Sequence, residues 1–129
     1  MSVDPASADL DGLRRAPCDP LILAVRLDGR PLRGLTGRVD WRLGGRLSAL
    51  VADERVPRDA PLMLPAPVFF PLPRLVLWRV GAATPADLAR LARDMGAERP
   101  GLCPADFGFT ADEVKQAFGG GVVTYAAAS

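Results

Sequence analysis

The chain has 129 residues, 49 % of them hydrophobic, which is one domain's worth and enough for a core without metal or disulfide staples. Its formal net charge is +1, from 16 basic and 15 acidic residues, so no electrostatic excess points to nucleic acid or to an anionic membrane as partner. It contains no histidine, which removes the usual general base and a common metal ligand.

Residues 1–15 are polar and rich in small side chains. They carry Asp4, Asp9 and Asp11 and no apolar core of a signal peptide. They read as an N-terminal tail, and residues 16–129 as a single domain. Pro20 to Leu27 is a continuous apolar run ended by the turn signal Asp28-Gly29. Such a run is a strand buried on both faces, as in an α/β sheet. A first helix is expected from Asp40 to Val51. Asp40 suits its N-cap, and Leu43, Leu47, Leu50 and Val51 share one face. Gly44-Gly45 is a poor helical pair, costing about 1 kcal/mol per glycine relative to alanine.

Leu62 to Leu64 is a short strand candidate, and Pro65 to Pro73 a proline-punctuated loop around Val68-Phe69-Phe70. Those prolines, with Pro61, also exclude a spanning helix over Pro61 to Leu77. Arg74 to Val80 is the clearest strand, and Gly81 ends it. Thr84 to Met95 is the clearest helix: Thr84 caps it, Pro85 fits its first position, Asp87 completes a capping box and Gly96 stops it. Leu102 to Phe109 is a weaker strand, interrupted by Pro104. Thr110 and Glu113 form a second capping box, opening a helix to Phe118. Gly119-Gly120-Gly121 stops it, and Val122 to Tyr125 returns as a strand. Alternating strands and helices predict an α/β fold, a mixed β-sheet flanked by helices.

Several of these features, in order, resemble the N-terminal domain of the M17 leucyl aminopeptidases. They are the Asp40–Val51 helix with its Gly44-Gly45, the apolar strand Leu75 to Gly81, the helix that follows it, and Val114 to Tyr125 with its glycines and Tyr125. The resemblance implies a macrodomain-like layer of mixed sheet between helices. It also implies an accessory role in assembly. The family's two-metal peptidase machinery has no counterpart in this sequence, so no catalytic residue carries over.

Chemistry on other residues is weakly supported. Cys18 and Cys103 belong to no CxxC pattern and make a poor zinc site without histidine. They read as a reduced pair in a cytoplasmic protein, with one disulfide as the alternative. Cys103 reads as a small buried residue sooner than as a nucleophile. Asp106 and Asp112 could hold a cation, although Asp112 is explained as a first-turn helix residue. Lys115 is the single lysine. That bias fits a GC-rich bacterial genome; an arginine-lined surface for carboxylate or phosphate is the alternative.

Two functions are therefore expected in order. The first is a non-catalytic protein-binding or assembly module, with no cofactor and no metal, engaging a protein partner or a second copy. Its contact residues would be Trp41, Arg42, Arg46, Phe69 and Phe70, an aromatic and arginine set typical of interface anchors. One of Phe69 and Phe70 should face solvent, because successive side chains of an extended segment alternate. The alternative is a macro-like domain that binds a nucleotide or an anionic metabolite. Against it, Gly119-Gly120-Gly121 follows a helix and cannot cradle a phosphate at a helix start.

Overall fold

A computed structural model describes residues 6–26 and 32–126. The Asp28-Gly29 turn and residues 1–5 and 127–129 lie outside the described residues. Six strands and six helices follow in the order β1 (Ala6–Ser7), α1 (Leu10–Arg15), β2 (Leu21–Val25), α2 (Gly34–Arg42), α3 (Arg46–Ala52), β3 (Leu62–Pro65), β4 (Arg74–Arg79), α4 (Pro85–Asp94), β5 (Gly101–Leu102), α5 (Pro104–Phe107), α6 (Ala111–Phe118) and β6 (Val123–Ala126). The strands form one mixed sheet in the order β1-β6-β5-β2-β4-β3. All neighbours are parallel except β3, which runs antiparallel to β4 at one edge. The fold is α/β, as the alternation of elements predicts.

The sheet separates two apolar layers, and the period of two along each strand decides which residue enters which. Leu21, Leu23 and Val25 of β2 join Leu75 and Leu77 of β4 beneath α1, α2 and α3, with Leu13, Leu35, Val39 and Leu47. Ile22, Ala24, Val76 and Trp78 face the other way, toward Leu88 of α4, Phe107 of α5 and Val114 of α6. Every residue of β2 is buried, which is why its sequence is apolar throughout instead of alternating. The edge strand β3 alternates, with Met63 exposed, and tolerates Pro65 because an edge leaves an N–H unneeded.

Three expectations are corrected. Residues 6–15, read as tail, are structured: Ala6 and Ser7 pair with Tyr125 and Ala126, and Leu13 of α1 is fully buried. The helix expected over Asp40–Val51 is two helices. Gly44 and Gly45 take left-handed conformations, with φ of 69° and 83°, which break the helix where glycine alone is unstrained. Asp40 sits in the last turn of α2, and it caps α3 from there. Its Oδ1 accepts the Leu47 and Ser48 N–H groups at 2.8 and 3.0 Å, and its Oδ2 accepts the Ser48 hydroxyl. Finally, the strand expected over Leu102–Phe109 stops at Leu102. Pro104, lacking an N–H, begins α5 instead.

Candidate functional site

The sheet's carboxyl edge is where the layers diverge. After β2 the chain enters α2 on one face, while β4 and β5 on either side are followed by α4 and α5 on the other. A reversal of this kind opens a crevice at strand ends, where open α/β sheets bind ligands.

The amino end of α2 is built for close approach. Gly34 has φ of 63°, and a Cβ there would fall 2.1 Å from Asp106 Oδ1. A Cβ on Gly37 would fall 2.2 Å from the Leu32 carbonyl oxygen. Thr36, buried, donates its hydroxyl to the Ala24 carbonyl at 2.7 Å and pins α2 to β2. Arg33 occupies the cap position of α2 without a side-chain cap bond. Asp106, from α5, supplies what is missing: its Oδ2 accepts the Leu35 N–H at 2.9 Å. Burial pushes the Asp106 carboxyl above its ordinary value, against the pull of the Leu35 and Thr36 N–H groups, the Cys103 thiol and Arg26.

Beside this end lies a groove of about 750 Å³ between α1 and α2. Trp41 forms one wall and is 82 % exposed. Arg33 and Arg38 bring positive charge, Asp9 and Asp11 bring carboxylates, and Leu10 and Leu32 bring apolar surface. Asp9 is the N-cap of α1: its Oδ1 accepts the Gly12 N–H and the Ser7 hydroxyl, both at 2.8 Å. Those bonds hold its carboxyl below the usual range. An exposed indole face can stack on a planar ring, carboxylates can accept from an exocyclic amine, and guanidinium groups can hold phosphate or carboxylate.

The expected contact residues divide. Trp41 lines the groove. Arg42, the next residue, turns its guanidinium over the Phe69 ring, 5.1 Å from the centroid. Phe69 is 57 % exposed and Phe70 only 5 %, so one does face outward, but the two are separated by a turn, closed by the Phe70 N–H on the Pro67 carbonyl at 2.9 Å, and not by the alternation of an extended segment. Phe70 belongs to the core and is removed from the contact set. Arg46 is exposed at the first position of α3. Cys18 and Cys103 are free and buried, and burial pushes both thiols to about 11, so they stay protonated at neutral pH. Among the described residues, no group of three or more Cys, Asp or Glu could hold a metal ion. None of the described helices is long and apolar enough to cross a membrane. Asp106 is a cap and not half of a cation pair with Asp112, which lies exposed in the first turn of α6.

The sequence reading missed Asp9, Arg33, Arg38 and the amino end of α2. The available signal was Gly34-Leu35-Thr36-Gly37, two glycines after an apolar strand and before Val39. It was masked by Asp40, whose capping role drew the helix start too late.

No family model matches the chain, and no curated protein matches it. Solved structures do. The macrodomain of Mycobacterium tuberculosis DarG superposes with a TM-score of 0.62 at 16 % identity, covering 100 % of this chain and 96 % of that one. The macrodomain of Thermus aquaticus DarG gives 0.59 at 13 % identity, covering 91 % and 93 %. The fold is thus macrodomain-like, as the M17 resemblance implied. None of these comparisons links the chain to the M17 aminopeptidases themselves.

Proposed function

We propose that the chain is a binding module for a nucleotide-type ligand of the ADP-ribose class, held in the groove between α1 and α2. One observation carries this reading. At the carboxyl edge of the sheet a single groove gathers an exposed indole, two carboxylates and two arginines around the glycine-lined start of α2. The base stacks on Trp41 and offers its amino group to Asp9 or Asp11. The phosphates lie against Arg33 and Arg38, because the Leu35 N–H already has Asp106. The macrodomain-like architecture supports the same ligand class. The protonated thiols and the absence of histidine support a binder over an enzyme, and two free buried cysteines support a cytoplasmic setting.

Thermal unfolding and calorimetry with ADP-ribose, AMP and adenosine test it. A ligand at 100 times its Kd should stabilise the fold by about 2.7 kcal/mol. Trp41→Ala should weaken binding about tenfold or more, since base–aromatic stacking is worth about 1–3 kcal/mol. No response to any of the three retires the proposal.

A second reading keeps the assembly module resembling the M17 N-terminal domain. It is favoured by Arg42 stacked over the exposed Phe69 beside Trp41, a surface of interface-anchor composition. Phe69→Ser should lower self-association in sedimentation without lowering thermal stability. Unchanged sedimentation sets this reading aside.

A further inference from the structure

The groove leaves one arginine pocket unexplained. Strand β4 ends at Arg79, the register partner of Val25. Its side chain turns to the face of Leu75 and Leu77, where Nη2 donates to the Val56 carbonyl at 2.7 Å. Its Nε–H is buried and has no hydrogen-bond partner among the described residues. The chain leaving α3 closes over this guanidinium. Arg55 N–H bonds back to the Leu50 carbonyl at 2.9 Å, and Glu54 is held at a φ of 55°, a left-handed conformation unusual outside glycine. Between that segment and β4 lies a pocket of about 400 Å³, lined by Arg79, Arg58, Glu54 and the apolar Val51 and Val56. The ion pairs among the described residues are Arg15 with Asp11 and Arg74 with Asp19, so neither pocket arginine is paired within that set.

We propose that this pocket binds a tetrahedral oxyanion, a phosphate group that is either free or carried by a small phosphomonoester. Four features argue for it. In the half-buried Arg79 the Nε–H is enclosed without an acceptor, and leaving an enclosed donor unsatisfied is unfavourable. The planar fork of arginine matches two oxygens of one anion, and a second arginine, Arg58, lines the pocket from the segment that faces β4. Glu54 offers an acceptor to a ligand hydroxyl. The loop that shapes the pocket is held in a strained conformation, as ligand-clamping segments often are. The pocket shares no lining residue with the groove, so it stands apart from the proposal above.

Side-chain nitrogen NMR of the intact chain tests the site, because arginine Nε–H resonances report it directly. Inorganic phosphate and phenyl phosphate are titrated separately, with sodium chloride at matched ionic strength as control. Saturable shifts of the Arg79 and Arg58 resonances are expected with phosphate and none with chloride. A stronger response to phenyl phosphate assigns the phosphomonoester, and an equal one the free anion. Arg79 also holds the Val56 carbonyl, so the variant is Arg58→Gln, which should weaken phosphate at least tenfold. Trp41→Ala should leave the phosphate response unchanged. Shifts reproduced by chloride, or equal affinity in Arg58→Gln, overturn the proposal.

Discussion

The two helical layers are encoded in different ways. On one face, α4 and α6 carry their own instructions. Thr84 and Asp87 bond reciprocally across the first turn of α4, and Thr110 and Glu113 do the same in α6. On the other face, α2 and α3 are capped from outside. Asp106 reaches the start of α2 from 71 residues away, and Asp40 reaches the start of α3 across the Gly44-Gly45 break. The locally capped helices form a scaffold. The helices capped at a distance border both the groove beside α1 and the arginine pocket. Asp9 aside, which caps α1 locally, the caps that shape these two cavities are interactions that local sequence rules do not contain.

The comparison is most sharply broken at Asp40. It is buried and accepts three hydrogen bonds. Asp40→Ala should cost about 2–4 kcal/mol in urea unfolding, since bonds to a charged acceptor are worth about 1.5–3 kcal/mol each and are not additive. A cost below about 1 kcal/mol would mean that α3 is capped by other means. Thr84→Ala and Thr110→Ala should each cost about 1 kcal/mol, the usual worth of an N-cap. They should also add in the double variant, because the two boxes share no residue. Strong coupling between them would contradict the claim that each helix is encoded by itself.

The smallest effect lies in the pH dependence, and its sign differs between the carboxylate that caps its own helix and the one that caps a helix across the sheet. Asp87 is held below its ordinary value of 3.8 by the Thr84 N–H and hydroxyl. Its contribution to stability is present above that value and is lost as pH falls through the depressed one. Asp106 is raised above 3.8 by burial. Its contribution is present below the unfolded value and is lost as pH rises through the folded one. The chain with Asp106 therefore resists acid better than the chain without it. Asp106→Asn should steepen the fall of the urea midpoint as the pH is lowered toward the ordinary carboxylate value of 3.8. An unchanged or shallower slope would show that this carboxyl is not destabilised by its burial.

The same contrast explains what could be read from the sequence. Strands β2 and β4 were legible because an uninterrupted apolar run has few other uses. Helices α4 and α6 were legible down to the capping residue, since each box spans four consecutive positions. The start of α2 was not. Arg33 carries no capping side chain, and the acceptor that replaces it, Asp106, lies beyond β5. The sequence marks Asp40 as a cap but not the helix it caps, because nothing local says that Gly44 and Gly45 both adopt positive φ. The groove needed α1, yet Asp9 and Leu10 sit in a polar stretch whose one buried leucine, Leu13, gives little periodic signal. Phe69 and Phe70 sit at a turn closed by the Phe70 N–H on the Pro67 carbonyl, so which of them faces outward depends on the loop's return to β4 and not on the alternation of an extended segment.

The place of β2 in the sheet has a consequence for how the chain assembles. Its five buried residues pair with β4 and β5, both of which come later in the sequence. During synthesis the apolar strand emerges first and waits for partners that have not yet been made. Non-local pairing of this kind raises contact order, slows folding and leaves sticky edges exposed in the meantime. The centre of the finished sheet thus closes only after Gly101 and Leu102 have been made, although its first strand is among the earliest segments of the chain.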